Sequence, residues 1–317
     1  MRLVWMAWLL ACLVVPLGAY VRLSQAGLGC PDWPGCYGAL SPHQASAQIA
    51  RAEAADPAGP VTAGKAWREM VHRYLASTLG GLILLMAALN ARRGELRHAS
   101  RLLLVGVVLQ GLLGMWTVTQ LLKPVVVSAH LLLGMTLAAG LAALAWRARL
   151  PVMRAARPLR VLGGALVALL LLQIVLGGWV SASHAALACQ GFPTCNGAWW
   201  PPLRFDLALR LMRAPAATAG DIDPQGLALI TIHWLHRLGA LMVSLLTLAL
   251  VWRGWRNTAL RPALAVLALA WLGQIGLGVM NVLLALPLPL AVAHNVGALA
   301  LLSVAVVVLT HLSGETV

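Results

Sequence analysis

Eight apolar stretches, each about as long as a bilayer is thick, fill most of the chain. A transmembrane helix needs roughly 20 mostly apolar residues, and the stretches lie at 3–21, 69–90, 101–122, 125–146, 159–181, 227–252, 260–284 and 288–311. Hydrophobic residues make up 61% of the chain and charged residues only 10%. About 25% of the residues of a soluble domain are charged, so a soluble enzyme is excluded, and a disordered chain is excluded for lack of polarity. We predict an all-α integral membrane protein with eight transmembrane helices.

Arginine is concentrated in alternate connections between these stretches. The basic residues of that side are Arg2, Arg92, Arg93, Arg97, Arg101, Arg147, Arg149, Arg154, Arg157, Arg160, Arg253, Arg256 and Arg261. Because cytoplasmic loops carry an excess of Lys and Arg, we predict cytoplasmic termini and two long outward loops, about 22–67 and 182–226. The net charge of +14 then reflects basic loops beside a bilayer, and we expect no nucleic-acid partner.

The two halves of the chain repeat one another. GAYVRLSQAGLGCPDWPGCYG at 18–38 matches GGWVSASHAALACQGFPTCNG at 177–197, and a slightly larger shift then aligns further polar residues. These further matches are His72-Arg73 with His236-Arg237, Gln110 with Gln274, Gly114 with Gly278, and His130 with His294. We predict two tandem four-helix bundles, 1–150 and 151–317, related by a pseudo-two-fold axis near the membrane normal, unlike inverted transporter repeats. The first stretch also resembles a signal peptide, but its match inside the chain favours a helix.

Four histidines occupy repeated positions within the predicted helices: His72, His130, His236 and His294. Two histidines at similar depth on two helices of a bundle can bind one haem iron from both faces of the porphyrin. A single intramembrane histidine is equally well explained by a hydrogen bond to a carbonyl, and a proton or ion path is the competing chemistry. The recurrence of a pair in both halves favours two haem sites.

Three charged residues lie beside these histidines. Arg73 and Arg237 directly follow their histidines, and they either extend to the outer interface or pair with a haem propionate. Glu69 lies one helical turn before His72, where a carboxylate could accept a proton or stabilise positive charge on a substrate. The alternative for Glu69 is an interfacial ion pair with a neighbouring arginine. Because the repeat places His233 opposite Glu69, we predict one reactive half and one accessory half.

The outward loops carry two cysteine pairs with identical spacing, Cys30/Cys36 and Cys189/Cys195. An outward compartment permits disulfides, so structural disulfides are the ordinary interpretation of both pairs. Redox exchange by at least one pair is the alternative, whereas a zinc site lacks a clear set of four ligands. Cys12, inside the first helix, is assigned to packing.

The sequence elements RLSQAGLGCPDWPGCYG (22–38) and EMVHR (69–73), with the second His-Arg at 236–237, His130 and His294, resemble the haem A synthase family. The resemblance covers nearly the whole chain. It implies eight transmembrane helices in two homologous halves. It also implies an oxidoreductase that oxidises the C8 methyl group of haem O to a formyl group, which gives haem A for cytochrome oxidase.

By position, the resemblance implies a role for each site residue. The substrate haem would lie at His72 and His130 with Glu69 in catalysis, and a haem b cofactor would be held between His236 and His294. Cys30 and Cys36 would be a redox-active pair, and Cys189–Cys195 a structural disulfide.

The resemblance also implies partners and a location. They are haem O from a haem O synthase, an electron donor such as quinol or a thiol protein, cytochrome oxidase assembly factors, and a bacterial-type cell membrane. Two alternatives remain. A bis-histidine cytochrome b would relay electrons without modifying haem and would have no use for Glu69. A haem or ion transporter would need a route to both faces.

Overall fold

The computed structural model describes residues 1–91, 96–147, 149, 155–211 and 224–313, and helices are the regular elements of these ranges. The ten α-helices are α1 (Arg2–Leu23), α2 (Ser46–Ala55), α3 (Ala63–Leu89), α4 (Arg97–Thr119), α5 (Pro124–Trp146), α6 (Arg157–Ala182), α7 (Phe205–Leu211), α8 (Pro224–Gly254), α9 (Arg261–Leu283) and α10 (Leu288–Ser313). A short 3₁₀ turn, Ala185–Leu187, follows α6.

All of these helices except α2 and α7 are long and apolar enough to cross a bilayer, which confirms the predicted all-α membrane fold. Large apolar side chains face outward, among them Leu13, Leu102 and Leu269. A lipid environment accepts such a surface, and helices satisfy their own backbone hydrogen bonds there. The protein is therefore a multi-pass membrane protein. Its orientation stays a prediction, and the basic residues Arg92, Arg93 and Arg154 lie outside the described residues.

The start of α3 differs from the predicted boundary. The helix begins at Ala63, six residues before the predicted start at residue 69, because Thr62 caps it and accepts a hydrogen bond from the Lys65 N–H at 3.2 Å. The added turns are polar, so hydropathy does not mark them. As a result, Glu69 and His72 lie deeper within their helix than the sequence-based boundary predicted.

Helix packing joins the membrane helices of each half into a ring. In the first half α1 contacts α3 and α5, and α4 contacts the same two helices; in the second, α6 and α9 each contact α8 and α10. The halves meet where α5 contacts α6 and α10 and where α1 contacts α10. Gly178 of α6 lies directly against Ser128 of α5, the kind of small-residue contact that lets membrane helices approach closely. The domain boundary and the two-fold axis stay predictions.

The two cysteine loops follow the same backbone course. Equivalent residues have positive φ angles, 53° at Gln25 and 55° at His184, and 72° at Gly38 and 82° at Gly197. Equivalent isolated bridges join Cys36 to Ala39 and Cys195 to Ala198. Both loops lie at one end of the bundle, where Arg22 at the end of α1 contacts the end of α6. We call this end the loop end.

Candidate haem sites

Each repeated histidine rests against a glycine of a neighbouring helix. A Cβ atom added to that glycine would lie 2.8–3.3 Å from the Cε1 atom of the imidazole ring, which is closer than ordinary van der Waals contact. The pairs are Gly18 with His72, Gly114 with His130, Gly177 with His236, and Gly278 with His294. The glycines therefore allow each ring to lie against the neighbouring backbone. The same contact occurs twice in each half of the chain.

Three of the four histidines also contact a glutamine. Gln173 donates to the His236 carbonyl oxygen at 2.9 Å and lies 3.0 Å from its ring Nδ1. Gln110 donates to the His130 carbonyl at 3.0 Å, and its amide nitrogen is 3.4 Å from the ring. These contacts can orient an imidazole, as the outer partners of metal-bound histidines do.

His294 is the third histidine with a glutamine contact, and His72 differs from the other three. The amide nitrogen of Gln274 is 3.3 Å from the ring of His294, whereas the His72 ring faces the main chain of Val14. The repeat had singled out Gln110 and Gln274 without a role. It could not identify Gln173, because the equivalent residue in the first half is Val14.

The histidines come together in pairs. The ring centroids of His236 and His294 are 6.4 Å apart. Two metal–nitrogen bonds of about 2 Å each, together with the two ring radii, span approximately this distance. In the first half, His72 of α3 and His130 of α5 occupy the equivalent positions.

Unsatisfied ring nitrogens support a ligand at these pairs. The Nδ1 atoms of His72, His130 and His294 are buried and have no hydrogen-bond partner among the described residues. Buried polar atoms of this kind need an explanation, and one explanation is a ligand that occupies the site. Neutral imidazole nitrogen is the common axial ligand of haem iron. The donor atoms of the second pair therefore fit a haem iron.

Glu69 is bound to the first cysteine loop rather than to solvent. The residue is 4% exposed, and its carboxylate accepts hydrogen bonds from the Cys30 N–H at 2.9 Å and from Arg73. Arg73 also donates to the carbonyl oxygens of Asp32 and Gly35. Glu69 thus forms the ion pair with an arginine that the sequence offered as an alternative. The pair is buried rather than interfacial, and it holds the first cysteine loop.

The second half repeats this arrangement with different chemistry. His233 takes the position of Glu69: its Nδ1 lies 3.1 Å from the Ala185 oxygen, and its Nε2 accepts from Arg237 at 3.3 Å. Arg237 also donates to the carbonyl oxygens of Cys189 and Thr194. Both repeated arginines therefore bind loop carbonyls, and a contact from either to a haem propionate stays a prediction.

Both cysteine pairs are at disulfide distance. The Cα atoms are 4.9 Å apart in Cys30–Cys36 and 4.8 Å apart in Cys189–Cys195. All four residues are fully buried. The backbone N–H of Cys30 donates a hydrogen bond to the Glu69 carboxylate, so the first cysteine pair is linked directly to that group. Cys12 is not in a disulfide.

Comparison with known proteins agrees with this geometry. The fold and the site define a multi-pass membrane protein with buried histidines, the residue type that commonly binds haem iron, in both halves. Residues 1–306 match the family of cytochrome oxidase assembly proteins, and the chain belongs to that family. It is 38% identical to the haem A synthase of Shewanella oneidensis, over 100% of this chain and 99% of the relative.

Two further relatives have the same name. The chain is 30% identical to the haem A synthase of Parvibaculum lavamentivorans, over 94% of this chain and 89% of the relative. It is 29% identical to that of Paracoccus denitrificans, over 91% and 81%. The predicted membership of the haem A synthase family is thereby confirmed, and with it a haem-related substrate and cofactor.

Proposed function

We propose that the protein is a haem A synthase that oxidises the C8 methyl group of haem O to a formyl group. Similarity to synthases over the full chain supports this activity. The observation that carries it in the structure is Glu69, the one buried carboxylate of the described residues, one helical turn from His72, with His233 at the equivalent position of the other half. An electron-relaying cytochrome b would have no use for this asymmetry.

We assign the resident haem b to His236 and His294 and the substrate haem O to His72 and His130. The 6.4 Å separation of the His236 and His294 rings supports the first assignment. The unpartnered Nδ1 atoms of His72 and His130 support the second. When bound, haem b supplies the one-electron redox chemistry that amino-acid side chains lack. Gln173 and Gln274 orient the two imidazoles, and the rings of the first pair orient the substrate.

Glu69 has the role of proton acceptor in this assignment. Conversion of a methyl to a formyl group is a four-electron oxidation. Written with water as the oxygen source it is R–CH3 + H2O → R–CHO + 4 H⁺ + 4 e⁻, so protons are released and an oxidant from outside the chain, such as dioxygen, takes the electrons. A positioned carboxylate that accepts a proton contributes typically 10²–10⁴-fold to a rate. Cys30 and Arg73 fix the carboxylate from two directions, so the first cysteine loop sets its position.

The remaining assignments follow from the same site. Cys30 and Cys36 exchange reducing equivalents with an outside donor, a quinol or a thiol protein, while Cys189–Cys195 is structural. The substrate comes from a haem O synthase, and cytochrome oxidase assembly factors are candidate partners for the product. Both termini lie in the cytoplasm of a bacterial-type cell, and the cysteine loops lie outside, as the arginine distribution indicates.

The test is haem extraction from protein purified from cells that make haem O. Wild type should contain haem A and haem b. Glu69→Gln, which keeps the size of the side chain, should contain haem O and haem b, with conversion reduced at least about 100-fold. Glu53→Gln is the control, since Glu53 is an exposed carboxylate of the same loop.

Each other outcome has a definite meaning. Only haem b in both proteins, at two equivalents per chain, would establish the electron-relaying cytochrome instead. Haem A at the wild-type level in Glu69→Gln would leave the synthase but remove Glu69 from catalysis. No haem in any protein would contradict both haem sites and favour a transporter.

A further inference from the structure

A cavity of about 410 Å³ opens at the loop end, between the first half and the end of α6. The residues that matter for its chemistry are Arg22 at the end of α1, Lys65 in the first turn of α3, and His184 just after α6. Leu121 and Leu122, in the turn between α4 and α5, form an apolar part of its wall. None of its lining residues is an Asp or a Glu.

Among the described residues, no carboxylate forms an ion pair with the cations of this cavity. Arg22 donates to the Ser181 carbonyl at 3.2 Å and lies 3.4 Å from the His184 ring, but its buried Nε has no partner among the described residues. Lys65 donates to the Gly59 carbonyl at 3.2 Å. Burial and the Arg22 guanidinium lower the pKa of His184, which favours its neutral form and leaves Arg22 and Lys65 as the cations of the cavity.

The two cations of the cavity lie on the loop-end side of the first histidine pair, on helices α1 and α3 that bear Gly18 and His72. Arg22 follows Gly18, the glycine against the His72 ring, by one helical turn, or about 6 Å along the axis. Lys65 precedes His72 by two turns, or about 10 Å, on the same face of α3. Leu121 lies in the turn just after α4, the helix that bears Gly114 against the His130 ring. A flat molecule between the two histidines would thus have its loop-end edge toward these two cations.

Both cations of the cavity belong to the first half, and the repeat gives them no counterparts in the second. The repeat places Ser181 opposite Arg22 and Leu229 opposite Lys65, so the loop end of the second half lacks both cations at the equivalent positions. This difference coincides with the Glu69/His233 difference. The half with the carboxylate is also the half with the cationic cavity.

We propose that Arg22 and Lys65 bind the propionate carboxylates of the substrate porphyrin and thereby hold it at the first histidine pair. The inference rests on the proposed function for the identity of the substrate. A guanidinium matches the geometry of a carboxylate with paired N–H donors, and the free Nε of Arg22 supplies an additional donor. The porphyrin carboxylates are the only anionic groups of an otherwise lipophilic substrate.

The test measures porphyrin binding to the full-length holoprotein in nanodiscs of neutral lipid. The probes are zinc protoporphyrin IX and its dimethyl ester, which lacks the carboxylate charges, and the readout is quenching of tryptophan fluorescence. We expect the free acid to bind wild type at least about tenfold more tightly than the diester, the size of one or two charge-assisted hydrogen bonds. Arg22→Gln and Lys65→Gln should each reduce this preference, and Arg22→Lys should retain part of it.

Arg51→Gln is the matched control, because Arg51 is an exposed cation of the same loop outside the cavity. Equal binding of acid and diester to wild type would overturn the proposal, as would an unchanged preference in both glutamine variants. Loss of acid binding on adding anionic lipid, without any preference over the diester, would identify a site for lipid phosphate and also overturn it. Haem extraction from the same wild-type sample tests the proposed function separately, since a preference for the free acid does not require haem A to be made.

Discussion

Gln173 contacts His236 at two points, with its amide nitrogen 2.9 Å from the carbonyl oxygen and 3.0 Å from the ring Nδ1. The amide oxygen of Gln173 has no partner among the described residues, so rotation of the amide can present either a donor or an acceptor to the ring. A histidine that binds iron through one nitrogen normally donates from the other. Gln173 is therefore placed to fix the orientation and the tautomer of the His236 ring.

Replacement of Gln173 should weaken the retention of haem b. Loss of an outer partner of a metal-bound histidine costs about 10–100-fold in affinity, so Gln173→Leu should lose haem b on dilution under conditions in which wild type keeps it. Pyridine haemochrome spectra of the purified protein measure the content. Gln110→Leu changes the first histidine pair instead and should keep haem b. Equal haem b loss from both variants, or from neither, would contradict the assignment.

The contact between Gly18 and His72 predicts a sharp steric effect. A Cβ at residue 18 would lie 2.8 Å from the Cε1 atom of His72, so Gly18→Ala should displace the ring and reduce conversion of haem O by roughly tenfold or more, as a 1 Å misplacement can. The haem A to haem O ratio is the readout. Gly81→Ala is the control, because no atom lies within 4 Å of a Cβ there. An unchanged ratio of haem A to haem O in Gly18→Ala would show that His72 does not position the substrate.

Arg237 should contribute to the stability of the second cysteine loop. Its guanidinium donates to three loop carbonyl oxygens, those of Cys189, Gly191 and Thr194, and hydrogen bonds from charged donors contribute about 1.5–3 kcal/mol when they are buried. Because the group is partly exposed, we expect Arg237→Gln to lower the unfolding free energy by about 1–2 kcal/mol. Thermal melting in detergent and limited proteolysis of the loop would show it.

Arg73 tests the difference between the halves. It binds its loop as Arg237 does, but it also binds Glu69. Arg73→Gln should therefore reduce both stability and haem A formation, whereas Arg237→Gln should reduce stability with little change in the haem A to haem O ratio. Equal changes of the ratio would mean that the Glu69 contact is not specific to the reaction.

The sequence predicts the features that depend on hydropathy and on the internal repeat. Eight helices follow from apolar length, and the two cysteine loops follow from the matched segments at 18–38 and 177–197. The early start of α3 was not predictable from hydropathy because its first turns are polar and depend on the Thr62 cap. The role of Gln173 was not predictable from the repeat because Val14 replaces it, and the target of Arg73 depends on how the loop folds back.

The two cysteine pairs should differ in their effect on the reaction. Each closes a short loop with a sequence separation of 6, for which loop-closure entropy gives about 2 kcal/mol of stabilisation. Cys30→Ser/Cys36→Ser and Cys189→Ser/Cys195→Ser should therefore lower the thermal midpoint by similar amounts. Only the first pair adjoins the reacting half, since the Cys30 N–H binds Glu69. The first double variant should shift the extracted haem from haem A toward haem O, and the second should not. A wild-type haem ratio in the first variant would leave both disulfides structural, and an equal shift in both variants would trace the effect to stability rather than to the contact with Glu69.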